Sequence, residues 1–317
     1  ILILTEGDSA KAMAMAGMSI IGRDKYGVFP LKGKILNVKD SSNIRKLMDN
    51  TEINNIKKIL GLQTGRKYDN TNINELRYGS ILVLTDQDED GSHIKGLLFN
   101  LFETLWPSLF NCGGFLTSML TPVIKIKKAN QEKSFYSVKD YDKWVKENDV
   151  KGWNMKYYKG LGTSTPKEAK EYFKQLKMVK YTTNADDDVK ALNLAFSKND
   201  DSSNLRKTWL STYNKNDTLD YSSKNVCIED FVNLDLKHFS VSDNVRSIPS
   251  IMDGLKPSQR KVLYCCFKRK LDKEIRVAQL AGYVSEHGAY HHGEASLQGT
   301  IINMAQDFVG SNNINLL

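Results

Sequence analysis

One local pattern occurs twice in the 317-residue chain: a short apolar run, an acidic loop, and a stretch that favours a helix. In the first copy, Ile1 to Leu4 is the apolar run and Ala10 to Met18 is rich in strong helix formers. In the second, Ile81 to Leu84 precedes the acidic turn Asp86 to Gly91, and apolar residues from Ile94 to Trp106 recur at helical period. Unbroken apolar runs are typical of strands buried on both faces, so the pattern predicts an α/β sheet.

The two acidic loops predict a single site if their strands are neighbours, because ligands bind beyond the carboxyl ends of the strands in such sheets. Asp86, Asp88 and Asp90 alternate along the chain, so an extended segment would crowd their side chains on one side. A cation would relieve this crowding, and carboxylate oxygens are the ligands that Mg²⁺ prefers. Glu6, in the first loop, would share the metal or act as a general acid or base.

Other interpretations of these loops remain open at this stage. The Asp-rich loop is also typical of a solvated turn, and Asp8 or Ser9 could simply cap a helix. An EF-hand is disfavoured because its twelfth position, counted from Asp86, is Leu97 instead of a bidentate Glu. A phosphatase with Asp86 as nucleophile, or an ATPase, would also place an Asp after an apolar run. The chain contains no GxxxxGKS loop, which weakens the ATPase interpretation.

Composition limits the class of protein and its partners. The length allows about two domains, and no apolar stretch approaches the roughly 18 residues of a membrane span. The formal charge of +8 favours a polyanionic partner, with DNA, RNA and acidic membranes all open. The four cysteines show no CxxC spacing, and Cys265 and Cys266 are adjacent, which favours a reduced intracellular protein.

The last third of the chain has a helical pattern. Three helices are predicted, over Pro257 to Lys270, Ile275 to Val284 and Glu294 to Val309. A basic three-helix unit is compatible with a helix-turn-helix or winged-helix DNA-binding domain and equally with a plain helical domain. His287, His291, His292 and Glu294 could be taken for a zinc cluster, but Gly288 and Gly293 argue against the regular helix that such spacing needs.

Several motifs in order along the chain resemble those of the type IIA DNA topoisomerases. Their sequences are more similar to those of the eukaryotic enzymes than to those of the bacterial ones. EGDSA followed about eighty residues later by DQDEDGSHI resembles the Toprim domain of that family, and PLKGKILNV and YYKGLGTS resemble its further signatures. In the second half, SDNVRSIPSIMDGLKPSQRKVLY and AYHHGEASLQGTIINMAQDFVGSNN are similar to the start of its winged-helix DNA-gate region.

The resemblance implies a fold and a metal site. The expected fold is α/β, with a Toprim domain built on a Rossmann-like parallel sheet and then a mainly helical winged-helix domain. The expected limits are 1–170 for the Toprim domain with insertions, 171–230 for a connecting helical segment, and 231–317 for a winged-helix domain incomplete at its C-terminus. Glu6, Asp86 and Asp88 fall on the family's Mg²⁺ ligands, with Asp90 as the third acid of the motif, and a two-metal site is implied.

The resemblance also implies catalytic and DNA-contacting residues. Arg246 and His292 would stabilise charge on the scissile phosphate, and Glu6 would act in catalysis beside them. The positions implied to contact DNA are Lys32, Lys34, Asn37, Arg206, Lys207, Lys256, Arg260, Tyr290 and His291.

One departure from the family pattern concerns the nucleophile. The family uses a Tyr preceded by Arg beyond the winged-helix segment, and no such pair in that context occurs before Leu317, so we assign no nucleophilic Tyr in this chain. The ATPase domain is expected upstream of Ile1, so ATP would act in the full protein and would not bind this part.

The implied activity is passage of duplex DNA through a transient double-strand break, by a nuclear homodimer without a membrane segment. The alternatives are a Toprim-type nuclease or other phosphotransfer enzyme, and a non-catalytic DNA-binding module.

Overall fold

The computed structural model describes residues 1–39, 44–158, 160–198, 201–221, 223–290, 292–307 and 315–317. The chain divides into two compact units, Ile1–Phe239 and Ser240–Leu317. The finer limits that the resemblance implies within and between these units stay a prediction.

The first unit is built on a six-stranded sheet with the strand order β2-β1-β3-β4-β8-β9. Its strands are β1 (Leu2–Glu6), β2 (Gly27–Leu31), β3 (Ile81–Leu84), β4 (Leu116–Met119), β8 (Met178–Thr182) and β9 (Asn225–Cys227). The first four strands are parallel, β8 runs antiparallel to β4, and β9 is parallel to β8. This mixed α/β sheet confirms the predicted fold class.

The two predicted apolar runs are central strands, which explains their composition. Side chains of β1 and β3 alternate between two separate hydrophobic clusters, with Leu4 and Val83 in one and Ile3 and Leu82 in the other. All four side chains are almost completely buried. Helices therefore cover both faces of the sheet, as expected for strands without a polar face.

The helices of the first unit lie mostly in the connections between strands. They are α1 (Gly7–Ile21), α2 (Ile44–Met48), α3 (Thr51–Leu60), α4 (Glu89–Leu105), α5 (Pro107–Phe110), α6 (Val138–Glu147), α7 (Pro166–Gln175), α8 (Ala185–Phe196), α9 (Ser202–Ser211), α10 (Ile228–Asp230) and α11 (Lys237–Ser247), the last of which continues past the boundary of the unit. A π-helical segment, Phe231–Leu236, lies between α10 and α11, and short 3₁₀ turns cover Ile73–Glu75 and Leu161–Thr163. The polar composition of 183–188 predicts flexible surface, and this prediction is wrong in part because α8 begins at Ala185.

Residues 124–157 contain a second, small sheet. Its strands are β5 (Ile124–Lys128), β6 (Gln131–Phe135) and β7 (Asn154–Tyr157), paired antiparallel in the order β6-β5-β7. Helix α6 covers this sheet through Tyr141 and Trp144, which pack on Phe135.

The second unit, described by itself, contains the three predicted helices. They are α12 (Pro257–Arg269), α13 (Val277–His287) and α14 (Glu294–Ala305), and Pro257 occupies the first turn of α12 as predicted. Their core includes Val262, Leu280 and Leu297, each almost fully buried. Cys265 and Cys266 are buried free thiols in this core, and in the first unit Cys112 is a buried and Cys227 a half-buried free thiol. Within the described parts of both units, no helix is long and apolar enough to cross a membrane.

Candidate functional site

The two acidic loops meet because β1 and β3 are adjacent. These strands pair in parallel with Thr5 opposite Leu84, so Glu6 and Asp86 follow at the same edge of the sheet. The Asp86 backbone N–H donates a hydrogen bond of 3.2 Å to Glu6 Oε2 across 80 residues of sequence. The predicted adjacency of the two strands is confirmed, and the loops share one site.

A third loop fixes the orientation of Asp86. The Leu161 backbone N–H donates to Asp86 Oδ1 at 2.7 Å. A Cβ placed on Gly160 would lie 2.3 Å from Asp86 Oδ2, a distance that real Cβ contacts essentially never show. Gly160 therefore permits this close approach of backbone to carboxylate, and the loop holds Asp86 from both sides.

Asp88 is the N-cap of α4. Its Oδ1 accepts a hydrogen bond of 2.8 Å from the Gly91 N–H, which satisfies one of the unpaired amides of the first helical turn. Gly91 packs on the backbone of the preceding loop, since a Cβ there would lie 2.1 Å from the Asp86 carbonyl oxygen. The glycine of the DxDxDG motif thus has a steric role in forming the turn.

Asp90 differs from the sequence prediction in its surroundings. The predicted extended segment through Asp90 is wrong, because α4 begins at Glu89 and Asp90 is already helical. Its Oδ1 lies 2.7 Å from Lys34 Nζ, in a partly exposed ion pair. The assignment of Asp90 to the metal site stays a prediction, and this carboxylate is already paired with a lysine.

Burial and like charges shape the electrostatics of this acidic cluster, which we define as Glu6, Asp86 and Asp88. Burial, followed by the negative charge of Asp86, raises the pKa of Glu6 to about 7. Burial also raises the pKa values of Asp86 and Asp88, and for Asp88 the neighbouring carboxylates raise it further. The cluster concentrates negative charge in a partly desolvated place, which favours a cation.

A buried lysine lies behind the cluster. Lys95, on α4, is 3% exposed, and its Nζ lies 3.8 Å from Asp235 Oδ2. Burial lowers the pKa of Lys95, while the charges of Asp235 and Asp88 oppose that shift. Asp235 belongs to the π-helical segment and also accepts a hydrogen bond from the Tyr221 hydroxyl. This pairing anchors α4 to the π-helical segment Phe231–Leu236.

The donor set of the acidic cluster fits Mg²⁺ in its chemistry. Among the described residues, hydrogen bonds reach one oxygen of each carboxylate, from Asp86 N–H, Leu161 N–H and Gly91 N–H. Within the same described residues, no group of three or more His, Cys, Asp or Glu side chains is arranged to hold a metal ion. Mg²⁺ usually takes one or two carboxylates and completes its octahedron with water and substrate phosphate, so this arrangement is compatible with it.

The predicted DNA-contacting residues of the first unit have different surroundings. Lys32 and Lys207 are exposed. Lys34 is near the cluster through its ion pair with Asp90 and lies 4.5 Å from the Phe239 ring centroid.

Asn37 and Arg206 are engaged within the unit. The Asn37 amide donates to the Phe196 carbonyl oxygen at 2.8 Å and accepts from the Asn100 amide at 2.8 Å. Arg206 donates to the Ser197 carbonyl oxygen at 2.6 Å, just after the end of α8. Both side chains hold local structure in place, and their roles toward DNA stay predictions.

In the second unit, two predicted contact residues lie at the start of α12. The Lys256 backbone N–H donates to Gln259 Oε1 at 2.8 Å. Arg260 forms a two-bond ion pair with Asp253, from Nε to Oδ2 and from a terminal nitrogen to Oδ1, both at 2.8 Å. Hydrogen bonding to Arg260 lowers the pKa of Asp253 to about 2. A phosphate would have to compete with this carboxylate for the Arg260 guanidinium.

The remaining predicted residues of the second unit are Arg246, Tyr290, His291 and His292. Arg246 lies in the last turn of α11, with a long ion pair of 3.5 Å to Asp243. The Tyr290 side chain is 7% exposed and packs in the core of the unit, edge-on to the His292 ring at 5.4 Å between centroids. His291 lies outside the described residues. Helix α13 ends at His287 and α14 begins at Glu294, so Gly288 and Gly293 lie outside both helices, as predicted.

Sequence reasoning missed two elements of the site. The sequence identifies YYKGLGTS only as a signature of the family, whereas Gly160 and Leu161 position Asp86. It also gave no role to Lys95, because a lysine inside an apolar helix pattern carries no sign of a buried partner far along the chain. The presence of Lys95 on the inner face of α4 was the available signal, since lysine is rarely fully buried unless paired.

The sheet and its acidic cluster together define a Toprim domain. Residues 1–117 match the family described as Toprim domain, and residues 119–244 match the C-terminal associated domain of TOPRIM. Residues 246–317 match the family of the A subunits of DNA gyrase and topoisomerase IV. These three matches follow one another over almost the whole chain.

Curated relatives narrow this class to one family. The chain is 54% identical to DNA topoisomerase 2 of Plasmodium falciparum and 52% identical to human DNA topoisomerase 2-beta, and each match covers 100% of the chain. The chain belongs to the eukaryotic type II DNA topoisomerase family. It spans about a fifth of the length of these relatives, 22% and 20% respectively.

A solved structure supports the same family. It is the crystal structure of the Plasmodium falciparum topoisomerase II DNA-binding, cleavage and re-ligation domain, similar with a TM-score of 0.83 and 54% identity. The match covers 99% of this chain and 43% of that one.

Proposed function

We propose that this chain is part of the DNA-binding and cleavage core of an ATP-dependent type II topoisomerase, which passes one DNA duplex through a transient double-strand break in another. The observation that carries the proposal is the meeting of the two acidic loops, seen in the hydrogen bond from the Asp86 N–H to Glu6 Oε2. This places carboxylates from two separate motifs at one edge of the sheet, in a chain of the topoisomerase family.

In this proposal the acidic cluster binds Mg²⁺ through Glu6, Asp86 and Asp88. Bound Mg²⁺ would supply electrostatic stabilisation of developing charge on the phosphate and on the departing oxygen. Asp86 is kept in one orientation by the Leu161 N–H, and Asp88 by the Gly91 N–H, so both carboxylates are preorganised. Two metal ions and a place for Asp90 among their ligands belong to the proposal.

Glu6 has a second possible task in the same reaction. When it does not bind the metal, Glu6 has a pKa of about 7, so it can hold or release a proton near neutral pH at the oxygen that leaves or re-attacks the phosphate. Arg246 and His292 would stabilise charge on the scissile phosphate, consistent with a guanidinium and an imidazole as donors. The attacking tyrosine oxygen is assigned to no residue of this chain.

The partners of the proposed function follow from the family and from charge. Double-stranded DNA is the substrate, and the net charge of +8 suits a polyanion. Cleavage of both strands requires two sites and therefore a homodimer. ATP would act elsewhere in the full protein, and a eukaryotic enzyme of this kind would work in the nucleus.

The test is a cleavage assay with the full-length protein. Supercoiled plasmid and Mg²⁺ are incubated with the wild-type protein, with Asp88→Asn, and with Asp142→Asn as a matched exposed control on α6. Reactions are stopped with detergent and run with and without protease. We expect linear DNA carrying covalently attached protein from the wild type and the control, and a sharp loss with Asp88→Asn.

Other outcomes point to the alternatives. Linear DNA without attached protein would indicate a Toprim-type nuclease. Intact DNA despite good DNA binding and a folded wild-type protein would indicate a non-catalytic DNA-binding module. Cleavage by Asp88→Asn at the wild-type level would refute the metal assignment of Asp88.

A further inference from the structure

The first unit contains a large basic cleft that none of the predicted contact residues line. Its volume is about 1170 Å³, and its walls come from the end of β6, the first half of α6, the start of β8 and the segment before β9. Five lysines line it, and we call it the lysine cleft: Lys139, Lys143, Lys177, Lys180 and Lys224. Asp140 and Asp220 also line it, which leaves an excess of three positive charges.

The lysine cleft opens at the same edge of the sheet as the acidic cluster. Glu6 is the last residue of β1, Asp86 lies two residues after the end of β3, and β4 ends at this edge too. Because β8 is antiparallel to β4 and β9 is parallel to β8, both of these strands begin there. Lys177 and Lys224 immediately precede those strand starts, so they lie along the edge on which the acidic cluster sits.

A hydrogen bond connects sequence neighbours of the two regions. The Gln87 amide, between the two aspartates of the acidic cluster, donates to the Met119 carbonyl oxygen at 3.2 Å. The next residue, Leu120, lines the lysine cleft. Three strand spacings separate β3 from β9, and at about 4.8 Å each they amount to roughly 14 Å. The acidic cluster and part of the cleft wall therefore lie along one edge of the sheet.

The charges of the cleft are available to a ligand. Lys143, Lys180 and Lys224 are exposed, and none of them forms an ion pair with a described residue. Lys177 lies over the Tyr136 ring, 4.1 Å from its centroid, which holds its ammonium at the wall of the cleft. Lysine ammonium groups bind phosphate oxygens as point charges.

The shape and lining favour an extended polyanion. Sites for small molecules are usually enclosed and mostly apolar, with a few placed polar groups. This cleft has apolar lining residues, such as Leu120 and Leu219, but it also carries lysines on several of its walls, and the hydroxyls of Ser134, Ser137 and Thr218 supply further hydrogen-bonding groups. A phosphodiester backbone matches such a row of separated cations.

We propose that the lysine cleft binds the backbone of duplex DNA that flanks the segment held at the acidic cluster. This inference rests on the proposed function, because it extends the DNA path of that site. A separation of roughly 14 Å corresponds to roughly four nucleotides along one strand, at 3.4 Å each. The cleft would add phosphate contacts on one side of the cleavage point and would not take part in the chemistry.

The experiment measures binding of the full-length protein to a fluorescent linear duplex over a series of KCl concentrations. The test variant is Lys143→Gln/Lys180→Gln/Lys224→Gln, and the matched control is Lys25→Gln/Lys58→Gln/Lys67→Gln, which removes three lysines of the same unit that do not line the cleft. Each lost phosphate contact should reduce the slope of log K against log salt by about 0.9. We expect a reduction of about 2 to 3 for each subunit, hence about 5 for the proposed homodimer, and an unchanged slope for the control.

A charge-preserving variant separates charge from structure. Lys143→Arg/Lys180→Arg/Lys224→Arg should keep the wild-type slope, and its loss in this variant as well would overturn the proposal. A wild-type slope in the glutamine variant of the cleft would overturn it too. If inorganic tripolyphosphate binds the wild type but not the glutamine variant while the DNA slopes are equal, the cleft is a small-anion site and the proposal is wrong.

The plasmid cleavage assay keeps this test independent of the proposed function. One outcome is that the wild type forms covalent protein–DNA complexes that depend on Asp88 while the glutamine variant keeps the wild-type salt slope. That result would support the topoisomerase function and refute DNA binding by the lysine cleft. Absence of covalent complexes from the wild type would refute the proposed function, whereas a reduced slope would still support a DNA-binding cleft.

Discussion

Substitution of Gly160 by Ala should disable the acidic cluster with little effect on the fold. A Cβ at this position would lie 2.3 Å from Asp86 Oδ2 and 2.9 Å from its carboxyl carbon. An ordinary contact begins at about 3.4 Å, so the carboxylate must move by about 1 Å. The movement would also break or lengthen the 2.7 Å hydrogen bond from the Leu161 N–H to Asp86 Oδ1.

The magnitude follows from these distances. Loss of one such hydrogen bond to a charged group costs about 1.5 to 3 kcal/mol, and a displacement of about 1 Å in a reacting constellation can cost about 100-fold in rate. Gly160 has an extended backbone with φ of −168°, so alanine adds no backbone strain. We therefore expect about a 100-fold loss of Mg²⁺-dependent cleavage and a decrease in Tm of at most several degrees.

Gly162→Ala is a matched control in the same loop. Its added Cβ would meet Ser9 at 3.7 Å, an ordinary van der Waals contact. The assay is plasmid cleavage by the full-length protein over a Mg²⁺ titration, with the Tm of each variant measured in parallel. Cleavage by Gly160→Ala within a few-fold of wild type, with the fold intact, would refute the view that this loop positions Asp86.

Three further predictions concern charges in the two units. The pKa of Glu6 is raised from 4.5 to about 7 in the folded state, so the folded protein holds this proton more tightly and the associated stability is lost as pH rises through that window. Without Mg²⁺, the free energy of unfolding of the wild type should fall by about 2 to 3 kcal/mol relative to that of Glu6→Gln between those pH values. If denaturant unfolding gave the same pH dependence for both proteins, this prediction would be wrong. Lys95→Met should destabilise the first unit by about 3 kcal/mol because it leaves Asp235 without its buried cation. Lys11→Met, an exposed control on α1, should have little effect. Equal urea midpoints for Lys95→Met and the wild type would refute the pairing. Asp253→Asn should increase DNA affinity in a binding titration if Arg260 contacts phosphate, because it releases the Arg260 guanidinium from its ion pair, and unchanged affinity would argue against that contact.

Local sequence was sufficient where one element carries its own signal. The apolar run Ile81 to Leu84 predicts β3 with its observed limits. Pro257 marks the start of α12. Such signals depend on the period and composition of a few neighbouring residues, so they can be interpreted without knowledge of the rest of the chain. The same locality explains the error at Asp90, where alternating acids suggested an extended segment although the helix had already begun.

The positions of the acidic residues along the chain, and the family to which their motifs belong, were evident from sequence. The contacts that define their chemistry were not, because they join residues far apart. The Leu161 N–H reaches Asp86 across 75 residues, and Lys95 pairs with Asp235 across a still longer stretch. The raised pKa of Glu6 likewise depends on burial by neighbouring strands and on the charge of Asp86. Burial and long-range pairing are properties of the packed chain, so the protonation and orientation of the cluster, and the lysine cleft beside it, emerged with the tertiary structure.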